Sequence, residues 1–315
     1  MTNPFSLHGQ RALVTGANTG IGQAIAIGLA AAGADVVCAG RSASDETVDR
    51  ITKAGGTAAL CHVDFADPMA AQGLFADQNF DILINNAGII TRSDAVEATE
   101  ADWDTVMDVN LKSLFFTTQA FGKECFAKGR LGRVVNIASL LSFQGSIRVA
   151  AYTTSKHGVA GLTKTLANEW ASKGVNVNAI APGYIATNNT AALRADTARN
   201  AAIIDRIPAG HWGQPEDISG AAVYLCTPAA SYVHGTILML MEVGLPVDRL
   251  TQSAGARPGV GIVHLGLGAF YRAFGAVYVA EAMAASGAIG ALSVSHLKAP
   301  KPAMRLHHKT GPIHR

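Results

Sequence analysis

The chain has 315 residues and a formal net charge of +2 at pH 7, so no strong electrostatic field favours a nucleic acid or an anionic membrane surface as its partner. Hydrophobic residues make up 49% of the sequence and charged residues only 15%, which predicts a well-filled core and some apolar surface buried in an oligomer. The length allows one large domain, alone or with an appendage.

The cysteines and histidines indicate neither a disulfide framework nor a metal site. Cys38, Cys61, Cys125 and Cys226 form no Cys-x-x-Cys pair, and we expect them to be buried apolar residues of a reducing compartment. The ten histidines show no ligand spacing such as His-Glu-x-x-His. The N-terminus has no secretory pattern, and no uncharged apolar run reaches the ~20 residues of a spanning helix. We therefore expect a cytoplasmic, metal-free protein without membrane spans.

The first predicted elements are a strand at Arg11–Thr15, a glycine-rich turn at Gly16–Gly22 and a helix from about Gln23 to Ala32. Gly33 then stands where helices commonly end. This order is typical of the opening of a dinucleotide-binding βαβ unit, in which glycines let the backbone approach a pyrophosphate and the helix N-terminus supplies amide donors. A simple tight turn is the alternative for this segment taken alone.

Strands and helices continue to alternate along the chain. Further strands are predicted at 34–40, 57–63, 81–85, 133–139, 175–180 and 235–238, and helices at 43–54, 101–128 and 151–172. Such alternation predicts an α/β fold with a doubly wound parallel sheet of seven strands and helices on both faces. Ligands of these sheets bind beyond the carboxyl ends of the strands, where Asn85–Gly88, Ser139 and Ala181–Gly183 are expected.

The segment Tyr152-Thr-Thr-Ser-Lys156, with Ser139 thirteen positions upstream, predicts the chemistry. A free tyrosine phenol titrates near ~10, too high for a general base at neutral pH. Lys156 lies one helical turn after Tyr152, so its ammonium is expected to lower the pKa of the phenol. Ser139 could hold a substrate oxygen while Tyr152 moves the proton, which would interconvert an alcohol and a carbonyl. The alternative is a tyrosine packed at a helix start beside a solvated lysine.

Six motifs together resemble the short-chain dehydrogenase/reductase family over about 170 residues. They are Thr15-Gly-x-x-x-Gly-Ile-Gly22, Asn85-Asn-Ala-Gly88, Asn110, Ser139, Tyr152-x-x-x-Lys156 and Pro182-Gly183. The order and spacing match those of the family. The resemblance implies a Rossmann-like sheet and an NAD(P)-dependent oxidoreductase that acts on a CH–OH group.

The resemblance also implies residue roles. Tyr152 would be the acid/base and Ser139 would polarise the carbonyl. Lys156 would bind the nicotinamide ribose, and Asn110 would hold a water that extends the proton relay. The implied cofactor-binding residues are Gly16, Asn18, Thr19, Gly20, Ile21, Gly22, Arg41, Asp64, Asn86, Ala87, Gly88, Tyr152, Lys156, Pro182, Gly183, Ile185 and Thr187. Hydride would pass directly between nicotinamide and substrate, so the protein supplies geometry and the proton.

A narrower resemblance concerns 140–149, 181–196 and 206–213, which look like the 2-dehydro-3-deoxy-D-gluconate 5-dehydrogenases, also described as 2-deoxy-D-gluconate 3-dehydrogenases. It implies a sugar-acid substrate, whose carboxylate needs a cation. Polar side chains expected at the mouth of the site are Arg92, Gln144, Arg148, Asn188, Asn189, Arg194 and His211. Arg148 is the preferred carboxylate partner because it lies between Ser139 and Tyr152, with Arg92 behind it. A surface or interface role is the alternative for Arg148.

The choice between NAD and NADP rests on Gly40-Arg41-Ser42, at the end of the second predicted strand. NAD-preferring enzymes usually place a carboxylate there for the ribose 2′-hydroxyl. Arg41 could instead pair with a 2′-phosphate, whereas the turn Ala17-Asn18-Thr19 lacks a further basic residue and similar enzymes generally use NAD. The sequence therefore leaves the cofactor as NAD or NADP.

The resemblance ends near Leu238, and the sequence predicts a domain at 1–245 and an atypical C-terminal extension at 246–315. Within the extension, Arg257–Ala284 resembles a truncated N-terminus of the mannitol dehydrogenase/fructuronate reductase family. One βα unit rarely makes a core alone. We interpret the extension as the product of a fusion or frameshift that binds no cofactor, and its rival role is to pack on a partner subunit.

Three alternatives to a sugar-acid dehydrogenase stay open. A gluconate-type dehydrogenase and a 3-oxoacyl reductase belong to the same family, and a non-catalytic dinucleotide sensor or scaffold would bind cofactor without turnover. The expected partner is a small molecule rather than nucleic acid or membrane. The resemblance implies a homo-oligomer, either a tetramer or a dimer.

Overall fold

The computed structural model describes residues 3–75 and 78–241, within the first of two units, Met1–Gly244 and Leu245–Arg315. Seven parallel strands form one sheet in the order β3-β2-β1-β4-β5-β6-β7. The strands are β1 (Arg11–Thr15), β2 (Asp35–Gly40), β3 (Ala58–His62), β4 (Ile82–Asn85), β5 (Gly132–Ile137), β6 (Val175–Ala181) and β7 (Ile237–Met239). The predicted fold class is confirmed.

Both faces of the sheet are covered by helices. The α-helices of the described residues are α1 (Gly20–Ala31), α2 (Asp45–Lys53), α3 (Glu100–Met107), α4 (Ser113–Ala127), α5 (Ala150–Trp170), α6 (Ala191–Ala195), α7 (Thr197–Ile204) and α8 (Glu216–Cys226). Because successive strand residues point to opposite faces, Val14 packs with α1 and α8, whereas Leu13 packs with α4 and α5. Burial on both faces explains why strands such as β6 are buried along their whole length.

The structure differs from the sequence predictions in two helical regions and at the end of one strand. The single helix predicted at 101–128 is divided by a π-helical turn, Asp108–Lys112, between α3 and α4. No helix is predicted at α6, α7 or α8. α6 and α7 are short and bury no residue, whereas α8 buries Ile218, Ala222 and Leu225 at helical spacing, a signal that the sequence prediction does not use. The fifth strand ends at Ile137, so Ser139 lies in the following turn rather than in the strand.

The cysteines largely follow their prediction. Cys38, Cys125 and Cys226 are buried, and burial raises their thiol pKa values; Cys61 is only partly buried. Across residues 3–75 and 78–241, no three His, Cys, Asp or Glu side chains are grouped as metal ligands. No helix in those ranges has both the length and the apolarity to cross a membrane. The predicted extension at 246–315, with its segment 257–284, lies outside the described residues.

Candidate active site

The glycine-rich turn after β1 has the shape that a dinucleotide pyrophosphate requires. Gly16 and Gly20 have φ angles of +65° and +58°, which favour glycine. A Cβ on Gly22 would clash with the Gly16 carbonyl oxygen, so the first turn of α1 packs directly against the loop. Thr19 makes no side-chain cap, and the first turn of α1 holds no acidic residue. Its amide groups are therefore available for an anion, and the turn fits the implied cofactor.

Asn86 fastens the loop after β4 to this turn. Its Nδ2 donates to the carbonyl oxygens of Thr15 at 3.0 Å and Gly16 at 2.9 Å. The Oγ1 of Thr15 accepts from the backbone nitrogens of Asn86 and Ala87, both at 2.9 Å. The side chain of Asn86 thus holds the backbone of the glycine-rich turn. Its predicted contact with the adenosine side of the cofactor stays a prediction.

Arg41 and Asp64, predicted to bind the adenosine half, follow neighbouring strands. Gly40 of β2 pairs with His62 of β3, so the residues just after these strands emerge at the same edge of the sheet. Both side chains are exposed, and the Asp64 carboxylate accepts from the backbone nitrogen of Ala66 at 3.0 Å. The edge therefore offers one cation and one carboxylate to a ligand.

Asn110 lies fully buried in the π-helical turn between α3 and α4. Its Oδ1 accepts from the nitrogen of Ile89 at 2.8 Å, and its Nδ2 donates to the Ile89 oxygen at 2.9 Å. The same Nδ2 donates to Ser155 Oγ at 3.2 Å, and Ser155 Oγ donates to the Tyr152 carbonyl oxygen at 2.7 Å. Asn110 thereby joins the loop after β4 to α5, the helix that carries Tyr152. Its predicted relay water stays a prediction.

Ser139 and α5 are held together by Ser142. Ser142 Oγ donates to the Lys156 carbonyl oxygen at 2.7 Å and accepts from the nitrogen of Ser139 at 3.3 Å. Ser139 Oγ accepts from the nitrogen of Leu141 at 3.1 Å and is close enough to Tyr152 that hydrogen bonding lowers the pKa of the phenol. The structure therefore brings together the hydroxyl groups that the sequence placed thirteen residues apart.

The electrostatics of Tyr152 and Lys156 differ from the sequence prediction. Burial raises the pKa of Tyr152, while Ser139 and the positive charge of Arg92 lower it in part. Lys156 is not among the described groups that lower this pKa; burial instead lowers the pKa of Lys156 to about 8. The Lys156 ammonium donates to the Ile137 carbonyl oxygen at 2.7 Å and lies 5.6 Å from the centre of the Tyr152 ring.

The loop after β6 lies beside the glycine-rich turn. A Cβ on Gly20 would lie 3.4 Å from Thr187 Cγ2, which places Thr187 next to the start of α1. A Cβ on Gly183 would lie 2.5 Å from Met241 Cβ, so only glycine fits there. Pro182 and Ile185 are buried, and Ile185 forms a bridge with Gly213. The segment predicted to flank the nicotinamide is thus firmly anchored.

The polar residues predicted at the mouth of the site are the two candidate carboxylate partners, Arg148 and Arg92, and five others. Arg148, with φ of +63°, directs its Nε to Asp94 Oδ1 at 3.4 Å and is half exposed. Arg92 donates from Nη2 to the Asn189 carbonyl oxygen at 2.9 Å and acts on the Tyr152 pKa. The others are Gln144, partly buried, and Asn188, Asn189, Arg194 and His211, all exposed.

Three hydroxyl side chains, those of Thr15, Ser142 and Ser155, help to position the site, although the sequence pattern does not predict this role. The sequence pattern predicts no role for Thr15 beyond the start of the glycine motif, and none for Ser142 or Ser155. The hydroxyl groups of Thr15 and Ser142 bind backbone atoms far along the chain, as in the contact of Ser142 with Lys156. The hydroxyl of Ser155 donates to the nearby Tyr152 carbonyl oxygen and accepts from Asn110. The repeated serines between 139 and 155 were the only available signal, and they do not reveal which backbone atom each one reaches.

Comparison with known proteins also indicates a dehydrogenase or reductase. The family model described as enoyl-(acyl carrier protein) reductase matches residues 16–241. A 2-dehydro-3-deoxy-D-gluconate 5-dehydrogenase of Escherichia coli (strain K12) is 51% identical over 236 residues, which cover 73% of this chain and 93% of the relative.

Two solved structures share the fold. One, from Agrobacterium tumefaciens with bound NADP and provisionally named a 2-deoxy-D-gluconate 3-dehydrogenase, is 72% identical with a TM-score of 0.75, covering 76% of this chain and 97% of that chain. A gluconate 5-dehydrogenase from Burkholderia cenocepacia J2315, in complex with NADP and tartrate, is 35% identical with a TM-score of 0.71, covering 75% and 95%. Given the extent of these matches and the site geometry, the chain belongs to the short-chain dehydrogenase/reductase family of NAD(P)-dependent oxidoreductases.

Proposed function

We propose that the protein interconverts a secondary alcohol and a ketone on a sugar acid of the 2-dehydro-3-deoxy-D-gluconate or 2-deoxy-D-gluconate type. The observation that carries the proposal is the convergence of Ser139, Tyr152 and Lys156 beside a turn that fits a dinucleotide. The names of the relatives with 51% and 72% identity support the substrate class.

In the proposed mechanism, the phenol of Tyr152 exchanges a proton with the substrate oxygen while Ser139 Oγ holds that oxygen. The nicotinamide, when bound, supplies or accepts the hydride at the substrate carbon. Because burial raises the Tyr152 pKa, the phenol is protonated at neutral pH and ready to act as the acid in ketone reduction. In the oxidising direction Tyr152 must lose this proton, so we expect alcohol oxidation to speed up as the pH rises.

A spectrophotometric panel of sugar acids, gluconate, neutral ketones and a 3-oxoacyl thioester, each with both nicotinamides, tests the proposal. We expect the highest kcat/KM with a deoxy sugar acid. A Tyr152→Phe variant should lose at least about 100-fold in kcat while still binding cofactor, because general acid–base catalysis commonly contributes 10²–10⁴-fold. Preference for the thioester would favour the acyl reductase alternative, and cofactor binding without any turnover would favour a sensor.

For the substrate carboxylate, we propose Arg92 as the first partner rather than Arg148. The Arg148 guanidinium already faces the carboxylate of Asp94 at 3.4 Å. Arg92 is bound to a neutral carbonyl oxygen, that of Asn189, and its charge acts on Tyr152. A carboxylate would strengthen the interactions of Arg92 without competing with an existing ion pair, since hydrogen bonds between charged groups exceed those to neutral acceptors.

Matched variants separate the two arginines. Arg92→Leu should raise KM for a sugar acid at least about tenfold, with a much smaller effect on a neutral ketone, because a lost charge-assisted bond costs about 1.5–3 kcal/mol. Arg148→Leu is the control and should mainly alter stability. Equal losses on acid and ketone substrates for Arg92→Leu, or a larger acid-specific loss for Arg148→Leu, would reverse the assignment.

We propose NADP as the preferred cofactor. Arg41 is exposed at the sheet edge after β2, and no carboxylate lies at Gly40, Arg41 or Ser42 to accept from a 2′-hydroxyl. The two solved relatives described above hold NADP. Arg41→Ala should lower kcat/KM for NADPH about tenfold or more and leave NADH nearly unchanged. An equal effect on both cofactors would show that Arg41 does not read the 2′-phosphate.

The composition and the outer face of α4 and α5 support a homo-oligomer, which we propose to be a dimer or tetramer in the cytoplasm. This face carries a groove of about 330 Å³ lined by Phe115, Gln119, Lys123, Phe126, Leu162, Thr165, Leu166, Glu169 and Trp170. Burial of such apolar surface drives association. Light scattering of Leu162→Glu should show smaller particles than the parent, whereas Lys53→Glu on exposed α2 should not change the mass.

A further inference from the structure

A small cavity lies beneath the loop after β4, away from the reacting groups. It leaves about 10 Å³ for the centre of a water molecule. A buried water needs at least roughly 10–15 Å³ measured in this way, so the space suits one water and no larger ligand. Its lining residues are Thr15, Phe65, Asn85, Ala87, Val109, Ser113, Leu114 and Thr117.

Two hydroxyl groups in the wall of the cavity have no partner among the described residues. Ser113 Oγ and Thr117 Oγ1, both on α4, make no hydrogen bond there, and each residue is only 1% exposed. Leaving a buried hydroxyl unsatisfied is unfavourable, and such groups in native proteins are usually paired with protein or water. The two hydroxyls lie one helical turn apart on the same face, so one molecule could satisfy both.

Thr15 supplies a third polar group. Its Oγ1 accepts from the backbone nitrogens of Asn86 and Ala87, and neither of these bonds uses its own hydroxyl proton. Thr15 is 2% exposed and lines the same cavity. The wall therefore offers three hydroxyl groups, which matches the two to four hydrogen bonds that buried waters typically make.

We propose that one structural water occupies this cavity and hydrogen-bonds Ser113, Thr117 and Thr15. The water joins α4, which begins directly after the turn of Asn110, to the threonine that holds the backbone of Asn86 and Ala87. The water thus helps to position the loop after β4, which contains Asn86 and Ala87. The inference depends on dinucleotide binding by the family and not on the identity of the sugar acid.

The test uses the full chain and the double variant Ser113→Ala/Thr117→Val, which preserves shape and removes both hydroxyls. A high-resolution crystal structure of the parent should show water density about 2.7–3.2 Å from these oxygens, and the variant should lack it. The variant should have a lower Tm and a Kd for NADPH raised about fivefold, with kcat unchanged at saturation. NADPH fluorescence measures the Kd independently of turnover.

Opposite results would overturn the proposal. In a dry cavity the hydroxyls are unsatisfied, so replacing them with apolar groups would raise the Tm. Absence of density in the parent, a raised Tm, or an unchanged Kd would each reject the bridging water. Thr163→Val is the control: its hydroxyl already donates to the Val159 oxygen at 2.8 Å and accepts from Asn136 at 3.0 Å. It should lower the Tm and leave the Kd for NADPH unchanged.

Discussion

At the scale of single residues, the proposed catalytic pair, Tyr152 and Lys156, lies in surroundings that disfavour charge on both members. Burial raises the pKa of Tyr152 and lowers that of Lys156 to about 8. The Lys156 ammonium keeps one backbone acceptor, the Ile137 carbonyl oxygen at 2.7 Å. A substrate oxygen or a cofactor ribose would add partners, so ligand binding should favour the charged lysine over the neutral one.

The lowered pKa of Lys156 predicts how stability depends on pH. An unfolded lysine keeps its proton to about 10.5, whereas the folded one releases it near 8. Between these values the unfolded state binds more protons, so the free energy of unfolding from this group rises with pH. Without cofactor, the free energy of unfolding of the parent should therefore increase relative to that of Lys156→Met. The increase should be up to about 1.4 kcal/mol per pH unit from pH 8 to 10.

Urea unfolding of both proteins at pH 7, 8, 9 and 10 measures this gain, and titrations shared by both proteins cancel in the difference. Lys53→Met is the control because the Lys53 side chain is 80% exposed. Its difference from the parent should not depend on pH. A constant or shrinking advantage of the parent over Lys156→Met would show that the buried amine keeps its proton in the folded state.

The sequence predicts which of these residues lie near one another better than it predicts their interactions. Ser139, Tyr152 and Lys156 come together because the fifth strand and the following helix deliver them to one edge of the sheet. Arg92 is expected at the mouth of the site, but its effect on the Tyr152 pKa could not be predicted, because it depends on a loop path that carries no periodic signal. The same holds for Ser142, whose partner is a backbone oxygen fourteen residues away.

At the scale of elements, the parallel strands and long helices were predictable because buried strands and amphipathic helices leave clear patterns. The division of the helix at 101–128 was not, since a π-helical turn adds one residue to a hydrogen-bonded ring without changing the residue types. The turn is nevertheless central, because it buries Asn110 where its amide reaches both Ile89 and Ser155.

Two helical glycines give opposite predictions for the same substitution. Gly220 in α8 is exposed, with no atom within 4 Å of an added Cβ, so Gly220→Ala should stabilise by about 0.5–1 kcal/mol through helix propensity. On Gly122 in α4 a Cβ would lie 2.9 Å from two ring atoms of Trp170, which packs edge-on against Phe126. Gly122→Ala should destabilise by about 1–3 kcal/mol through overpacking.

Equilibrium unfolding in urea measures both variants under one set of conditions. A stabilised Gly122→Ala protein would mean that Trp170 can move without loss, and that α4 and α5 are less tightly packed than their shared cluster indicates. A destabilised Gly220→Ala protein would instead place Gly220 against another surface, such as a partner subunit.

At the scale of the whole molecule, the sheet of the first unit is completed within the described residues. β7 ends at Met239, and the Leu240 nitrogen donates to the Ala181 oxygen at 3.2 Å. The family match ends at residue 241, and the relative with 51% identity is covered over 93% of its own length by 73% of this chain. The extension at 246–315 therefore lies beyond the part of the chain that matches the family model.

We predict that a chain cut after Leu250 keeps its kcat/KM, its mass in light scattering and its Tm, because it retains all seven strands and the residues of the site. A chain cut after Val233 is the control: it loses β7, which pairs with β6 from Ala179 to Ala181, and should aggregate or lose activity. If the cut after Leu250 also dissociated the oligomer or abolished turnover, the extension would be a structural part of the assembly. That outcome would favour the rival role, in which the extension packs on a partner subunit and replaces the usual end of the family fold.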